Sequence, residues 1–168
     1  DGDDKLLGSF TQPGMLDSVF YFSQYYEVID RLFMRAHTDK YDVPQDQGGV
    51  ASTTGIRDLW TRRKTNWAAA PQEGGIGISP QKFPVNFLDN HDVARFLFNA
   101  QGDKDALRNA ITFLFMAEGI PCLYYGTEQE FSGGNDPANR EVLWNTGFAT
   151  NGDTFRHVSK LARVRKAY

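Results

Sequence analysis

Apolar residues recur along this chain in two rhythms. Met15 to Phe22, MLDSVFYF, is dense in β-forming side chains, and behind it Tyr26, Ile29, Phe33 and Ala36 repeat at the spacing of one helix face. A strand feeding a helix is predicted there. A second helical stretch spans roughly Ile56 to Ala69. Phe83 to Leu88 reads as a short buried strand, and GDKDALRNAITFLFMAEG places Leu107, Ala110, Ile111, Leu114 and Phe115 on one side of a helix. That helix carries its own stop signals. Asp103 can accept from first-turn amides, Gly119 sits where a left-handed residue is wanted, and Pro121 prevents continuation. CLYY, Cys122 to Tyr125, forms a further strand, and Asp153 to Lys166 a final amphipathic helix.

Strands that are apolar throughout, alternating with helices, predict a parallel sheet covered by helices, an α/β class. About three such βα units are legible in the sequence, whereas a closed (β/α)₈ TIM barrel has eight over ~250 residues, so if this is a barrel it is a partial one. From pattern alone an open doubly wound sheet also remains available. Both architectures put function at the C-terminal ends of strands, and there the polar clusters fall: Asp89 to Arg95 after one strand, Gly126 to Arg140 after the next. Thr38 to Gly55 is polar and glycine-rich, longer than a compact domain tolerates without purpose. The loop EGGIGISPQKFP lacks the Lys-Ser/Thr and following helix of a phosphate cradle, and reads as a flexible loop.

Composition narrows the classes. With 40% apolar and 23% charged residues and a net charge of −3, the chain is ordinary globular protein without the basic face of a nucleic-acid binder. Arg62 to Lys64 reads as a solvated helix face. The single Cys122 excludes an internal disulfide and a cysteine metal site while leaving the compartment undecided. No apolar run approaches the ~20 residues a membrane helix needs, so a soluble chain is expected. The start, DGDDKLLGSF, has no signal core and looks like an interior cut.

The stretch VNFLDNHDVARF, Val85 to Phe96, holds one of only three histidines. On a strand end the adjacent His91 and Asp92 point apart and address a third body. A carboxylate accepts from neighbouring hydroxyls, while imidazole and guanidinium donate to hydroxyl oxygens; a sugar ring offers that alternation. Asp136 and Arg140 repeat the combination in a glycine-rich stretch whose backbone can approach a ligand closely, with Tyr124, Tyr125 and Phe131 nearby as apolar faces. Bland readings stand beside these. Asn90-His91-Asp92 can be a turn network or helix cap, Arg95 can pair only with Asp89 or Asp92, and Asp136 before Pro137 can simply open a turn. His37 and His157 lie on helical stretches without a site, and HTDKYD lacks convergent metal spacing. Glu128 and Glu130 lie near the second loop; Glu128 is the better candidate for an active-site wall, with no chemical step assigned.

FLDNHDVARF resembles the strand-seven motif of the α-amylase family of glycoside hydrolases, and GIPCLYYGTEQEFSGGNDPANREVLW, Gly119 to Trp144, resembles its strand-eight segment. LDSVFYF with YYEVID is similar to strand six and its helix, and GDDKLLGSF to the stretch just after the strand-five acid/base glutamate. The resemblance implies the C-terminal part of a (β/α)₈ catalytic barrel acting on α-glucans with retention, through a covalent glycosyl-enzyme. The nucleophile and acid/base it implies would lie upstream of Asp1. Asp92 is cast as the transition-state stabiliser, His91 as a donor to the same ring, Asn90 and Arg95 as substrate-binding neighbours, and Asp136 with Arg140 as holding a glucose further along. No cofactor or metal ligand is assigned to this chain; calcium is allowed for the whole protein.

Two classes of function are consistent with these residues: the C-terminal part of an α-1,4-glucan hydrolase, inert without its missing N-terminal barrel segment, or a non-catalytic sugar-binding or interaction relative, which would have no reason to keep Asn90, His91, Asp92, Asp136 and Arg140 together. Within the enzyme class, transglycosylation and sucrose or trehalose chemistry share these motifs, since water or a sugar can intercept the intermediate.

Overall fold

A computed structural model describes residues 2–34 and 53–168; His37, HTDKYD and most of the Thr38 to Gly55 loop lie outside the described residues. Two compact units emerge. The first comprises described residues 2–32, 53–86 and 118–121, the second 33–34, 87–117 and 122–168.

In the first unit, α1 (Asp4–Ser9) begins at Asp3, whose carboxylate accepts from the amides of Lys5 and Leu6. The predicted strand around Met15 to Phe22 shrinks to one parallel bridge, Phe20 to Val85, flanked by Tyr21 N–H to Val85 O at 2.8 Å and Val85 N–H to Val19 O at 3.1 Å. The predicted helix continues from it as a short α2 (Phe22–Gln24) that widens into a π-helix, Tyr25–Phe33. Val28 and Ile29 are buried there, Tyr25 beside them. α3 (Thr53–Asn66) covers the predicted second helix. Its one wholly buried apolar residue is Leu59, and Arg63 is buried with it.

Arg63 corrects the reading of Arg62 to Lys64 as a solvated face. Its side chain is 1% exposed, pairs with Glu118 at 2.6 Å and lies over the rings of Tyr21 and Trp60. An arginine is tolerated inside because its charge is matched and its flat guanidinium stacks on aromatic faces. Asn86, also buried, is held by Gln24 at 2.9 Å and donates to Glu118 O at 2.9 Å.

The strands are shorter than predicted. β1 is Val85–Phe87 and pairs with β2, Ile120–Cys122, two residues earlier than CLYY suggested. Gly119 allows this pairing: at φ +116°, any Cβ there would collide with the Pro84 carbonyl, to which Ile120 N–H donates at 2.8 Å. Gly119 is thus required less as a helix stop than for close backbone approach. Two three-residue strands and a bridge are the β structure of the described residues, with no closed barrel.

In the second unit, α5 (Lys104–Met116) matches the prediction in its start and cap, with Asp103 accepting from Ala106 N–H at 2.8 Å, and in its buried face of Leu107, Ala110, Ile111, Leu114 and Phe115, but it ends at Met116, with Ala117 already extended, ahead of the stop expected at Gly119. A one-turn α4 (Phe96–Asn99) precedes it. α6 (Asp153–Ala167) packs on α5, where His157 Nε2 lies 2.9 Å from the Thr112 hydroxyl and 3.1 Å from Arg108 O, a structural histidine as read from sequence.

Candidate active site

The second unit brings the two polar loops together. After β1 the chain leaves the extended conformation, so residues 91–92 lie in a turn, not on a strand. The side chains of His91 and Asp92 therefore do not diverge as expected: His91 Nε2 stands 3.4 Å from Asp92 Oδ1, and both are about three-fifths exposed, 60% and 62%. Asn90 closes the turn by accepting Asp92 N–H at 2.8 Å. The turn-network reading thus holds for Asn90, while the imidazole and carboxylate beside it face solvent.

Asp89 is a structural carboxylate. It is buried, accepts Phe96 N–H at 3.1 Å and the Thr127 hydroxyl at 2.9 Å, and so joins the end of β1 to α4 and to the turn at Thr127–Gln129. Burial lifts its carboxyl above the ordinary 3.8, against the opposing pull of the Phe96 amide, Arg95 and Thr127. The folded chain keeps this proton to higher pH than the unfolded chain. Its stabilisation is complete below 3.8 and lost as pH rises through the raised value. Wild-type unfolding free energy should fall more steeply with pH over that window than that of Asp89→Asn; equal slopes in denaturant titrations would contradict the assignment.

Arg95 departs from its expected place among substrate-binding residues. With no exposed side chain it cannot reach a ligand, and it pairs with neither Asp89 nor Asp92. Its Nε donates to Glu141 at 3.0 Å, one terminal nitrogen to Tyr125 O at 2.7 Å, and the guanidinium lies 4.1 Å from the Tyr124 ring centre and 4.9 Å from that of Tyr125. The aromatics expected to face a sugar thus stack on Arg95, although Tyr125 remains 38% exposed.

The second loop is organised by residues that the sequence did not single out. Glu141 accepts from Ser132 N–H at 2.9 Å and Gly133 N–H at 2.8 Å as well as from Arg95. Gly133 is required by self-packing, since a Cβ would strike the Ala138 carbonyl; the glycines were expected to admit a ligand, and this one admits the loop's own backbone. Asn139, buried, donates to the carbonyls of Asn90, His91 and Val93. No periodicity or motif marks such roles. Asp136 and Arg140 form an exposed ion pair at 2.6 Å, and Arg140 also donates to His91 O at 3.2 Å. The structure thus gathers Asn90, His91, Asp92, Asp136 and Arg140 around one turn. Glu128 accepts Gly126 N–H at 2.9 Å. Glu130 binds Lys104 and the Thr154 hydroxyl; burial raises its carboxyl, but these partners outweigh burial and lower it. Glu128 thus closes its own turn, and Glu130 ties the loop to α5 and α6.

A cavity of about 440 Å³ belongs to the first unit, among Asp3, Asp4, Glu27, Arg62 and Asn66. Glu27 pairs there with Arg62 and Asp4 accepts from Asn66, and none of the cavity's lining residues belongs to the predicted site. Among the described residues no cluster of three or more His, Cys, Asp or Glu converges as a metal site, and no helix is long and apolar enough to cross a membrane.

Short strands joined through helices, with polar clusters in the loops behind β1 and β2, are the features of a β/α protein. Within that class the chain belongs to the alpha-amylase family: residues 56–164 match the model of the alpha amylase catalytic domain. It is 46% identical over 171 residues to the Beta/alpha-amylase of Paenibacillus polymyxa, covering 98% of this chain and 12% of that protein. It is 42% identical over 80 residues to Alpha-amylase 1 of Schwanniomyces occidentalis, covering 48% of this chain and 15% of the relative. An alpha-amylase structure from Malbranchea cinnamomea is similar over 99% of this chain and 29% of its own, with TM-score 0.75 and 26% identity. The chain therefore spans a small part of the relatives it matches.

Proposed function

We propose that the chain supplies the last βα units of a (β/α)₈ barrel in a retaining glycoside hydrolase that cleaves α-1,4-glucans such as starch and maltooligosaccharides. The observation that carries this reading is the exposed His91–Asp92 pair, held from behind by Asn139 and Arg140 with its side chains left free. Asp92 accepts from hydroxyls of the glucose whose bond breaks, and His91 donates to the same ring. As positive charge grows on the sugar towards an oxocarbenium ion, those hydrogen bonds tighten, so they act on rate more than on binding. The nucleophile and the acid/base come from chain outside these 168 residues. Asp136 and Arg140 hold a second glucose: Arg140 keeps donors beyond those given to Asp136 and His91 O. Asn90 shapes the turn, and Arg95 supports the loop without touching sugar.

A transfer reaction is the second reading, favoured by 43% identity over 83 residues to a cyclomaltodextrin glucanotransferase of Bacillus sp. strain 1011. Incubation of the complete protein with maltooligosaccharides tests both. Hydrolysis predicts shorter reducing products of retained configuration, whereas transfer predicts longer or cyclic ones. The 168-residue chain alone should release nothing. Sugar binding by the complete protein without any turnover would favour the non-catalytic relative.

A further inference from the structure

We propose that Asn139 is a positioning residue for Asp92 and His91, acting on turnover through the backbone of their turn; this rests on the function proposed above. Its amide nitrogen donates to Val93 O at 2.8 Å, His91 O at 3.1 Å and Asn90 O at 3.3 Å. Two N–H bonds serve three acceptors, and the acceptors bracket Asp92 on both sides. Carbonyls only accept, so this place requires a donor. From the other side Asn90 accepts Asp92 N–H at 2.8 Å. The main chain of Asp92 is thus fixed before and behind.

The side chain is not fixed. Asp92 is 62% exposed and His91 60%, so packing cannot aim them, and their direction is set by the turn. A carboxylate meant to meet a developing charge must stand in place beforehand. Asn139 itself is buried, and its amide oxygen finds no hydrogen-bond partner among the described residues. The amide is placed for its donors, at the expense of its acceptor. Arg140 adds a donor to His91 O at 3.2 Å but is half exposed, which leaves Asn139 as the buried support.

The test is a double-mutant cycle in the complete protein with a maltooligosaccharide, using Asn139→Ala, Asp92→Asn and the pair. Asn139→Ala should lower kcat by about 10²-fold, the loss typical of a catalytic group misplaced by an ångström, with KM little changed. On the Asp92→Asn background the same substitution should cost almost nothing further, because groups acting as one unit are not additive. Asn139→Ser, which keeps one hydroxyl donor, should recover part of the rate. Equal losses on both backgrounds, a loss confined to KM, or unfolding of both Asn139 variants would assign Asn139 to folding alone and overturn the proposal. If Asp92→Asn itself leaves kcat unchanged, the glucan reading of Asp92 falls first and takes this inference with it; if only Asn139→Ala is silent, the inference alone falls.

Discussion

Asp92→Asn in the complete protein should lower kcat on maltooligosaccharides by on the order of 10²–10³-fold, the loss seen when one preorganised group facing transition-state charge is removed. The substitution is nearly isosteric, and packing does not depend on the wild-type carboxylate: it is 62% exposed and stands 3.4 Å from His91. The turn beneath it is built from the main chain, through Asn90 and Asn139, so it should survive. In the proposed role, the group that disappears is a negative charge beside a sugar that becomes positive. Ground-state hydroxyls can still donate to the amide oxygen, so substrate affinity should change only a few-fold, and the split between kcat and KM identifies a group that acts in the transition state. Steady-state kinetics at saturating and limiting substrate measure both.

Arg95→Ala should destabilise the protein by about 3 kcal/mol, towards the lower end of the range for breaking a buried ion pair. The lower end applies because Glu141 is 28% exposed and can be partly rehydrated. Three effects add in one direction. A wholly buried side chain leaves a cavity, the guanidinium no longer lies over Tyr124, Tyr125 and Phe131, and Tyr125 O loses its donor. Arg95→Lys should recover little, since an ammonium cannot reproduce a fork that serves Glu141 and a carbonyl while stacking on rings. Denaturant unfolding of the complete protein measures this, and a loss below about 1 kcal/mol, the level of an exposed pair, would contradict it.

The aspartate effect marks where the sequence was readable, and the arginine effect where it was not. Asp92 and His91 stood out because two polar groups at the end of an apolar run have no reason in packing, and the structure leaves them exposed. α5 was readable for the opposite reason: its apolar spacing and its cap at Asp103 both act within a few residues. Arg95 was misplaced because its partner Glu141 is 46 residues away, and Arg63 because Glu118 is 55 away. A charge in a local run says nothing about which distant group will bury it. Asn139 failed to stand out because a donor to three main-chain carbonyls needs no motif. Strand lengths were overestimated since β propensity reports apolar side chains, whereas the backbone pairs only over Val85–Phe87 and Ile120–Cys122, with one bridge at Phe20. α4, with four residues, is too short to carry a period.

The most direct test of the account is a crystal structure of the complete protein with a bound maltooligosaccharide. The expected result places the Asp92 carboxylate and His91 Nε2 within about 3 Å of hydroxyls on one glucose unit, ordinary hydrogen-bond distance, with Asp136 and Arg140 on a neighbouring unit and Arg95 still buried behind the loop. A sugar seated in the barrel mouth with Asp92 and His91 turned to solvent would contradict it.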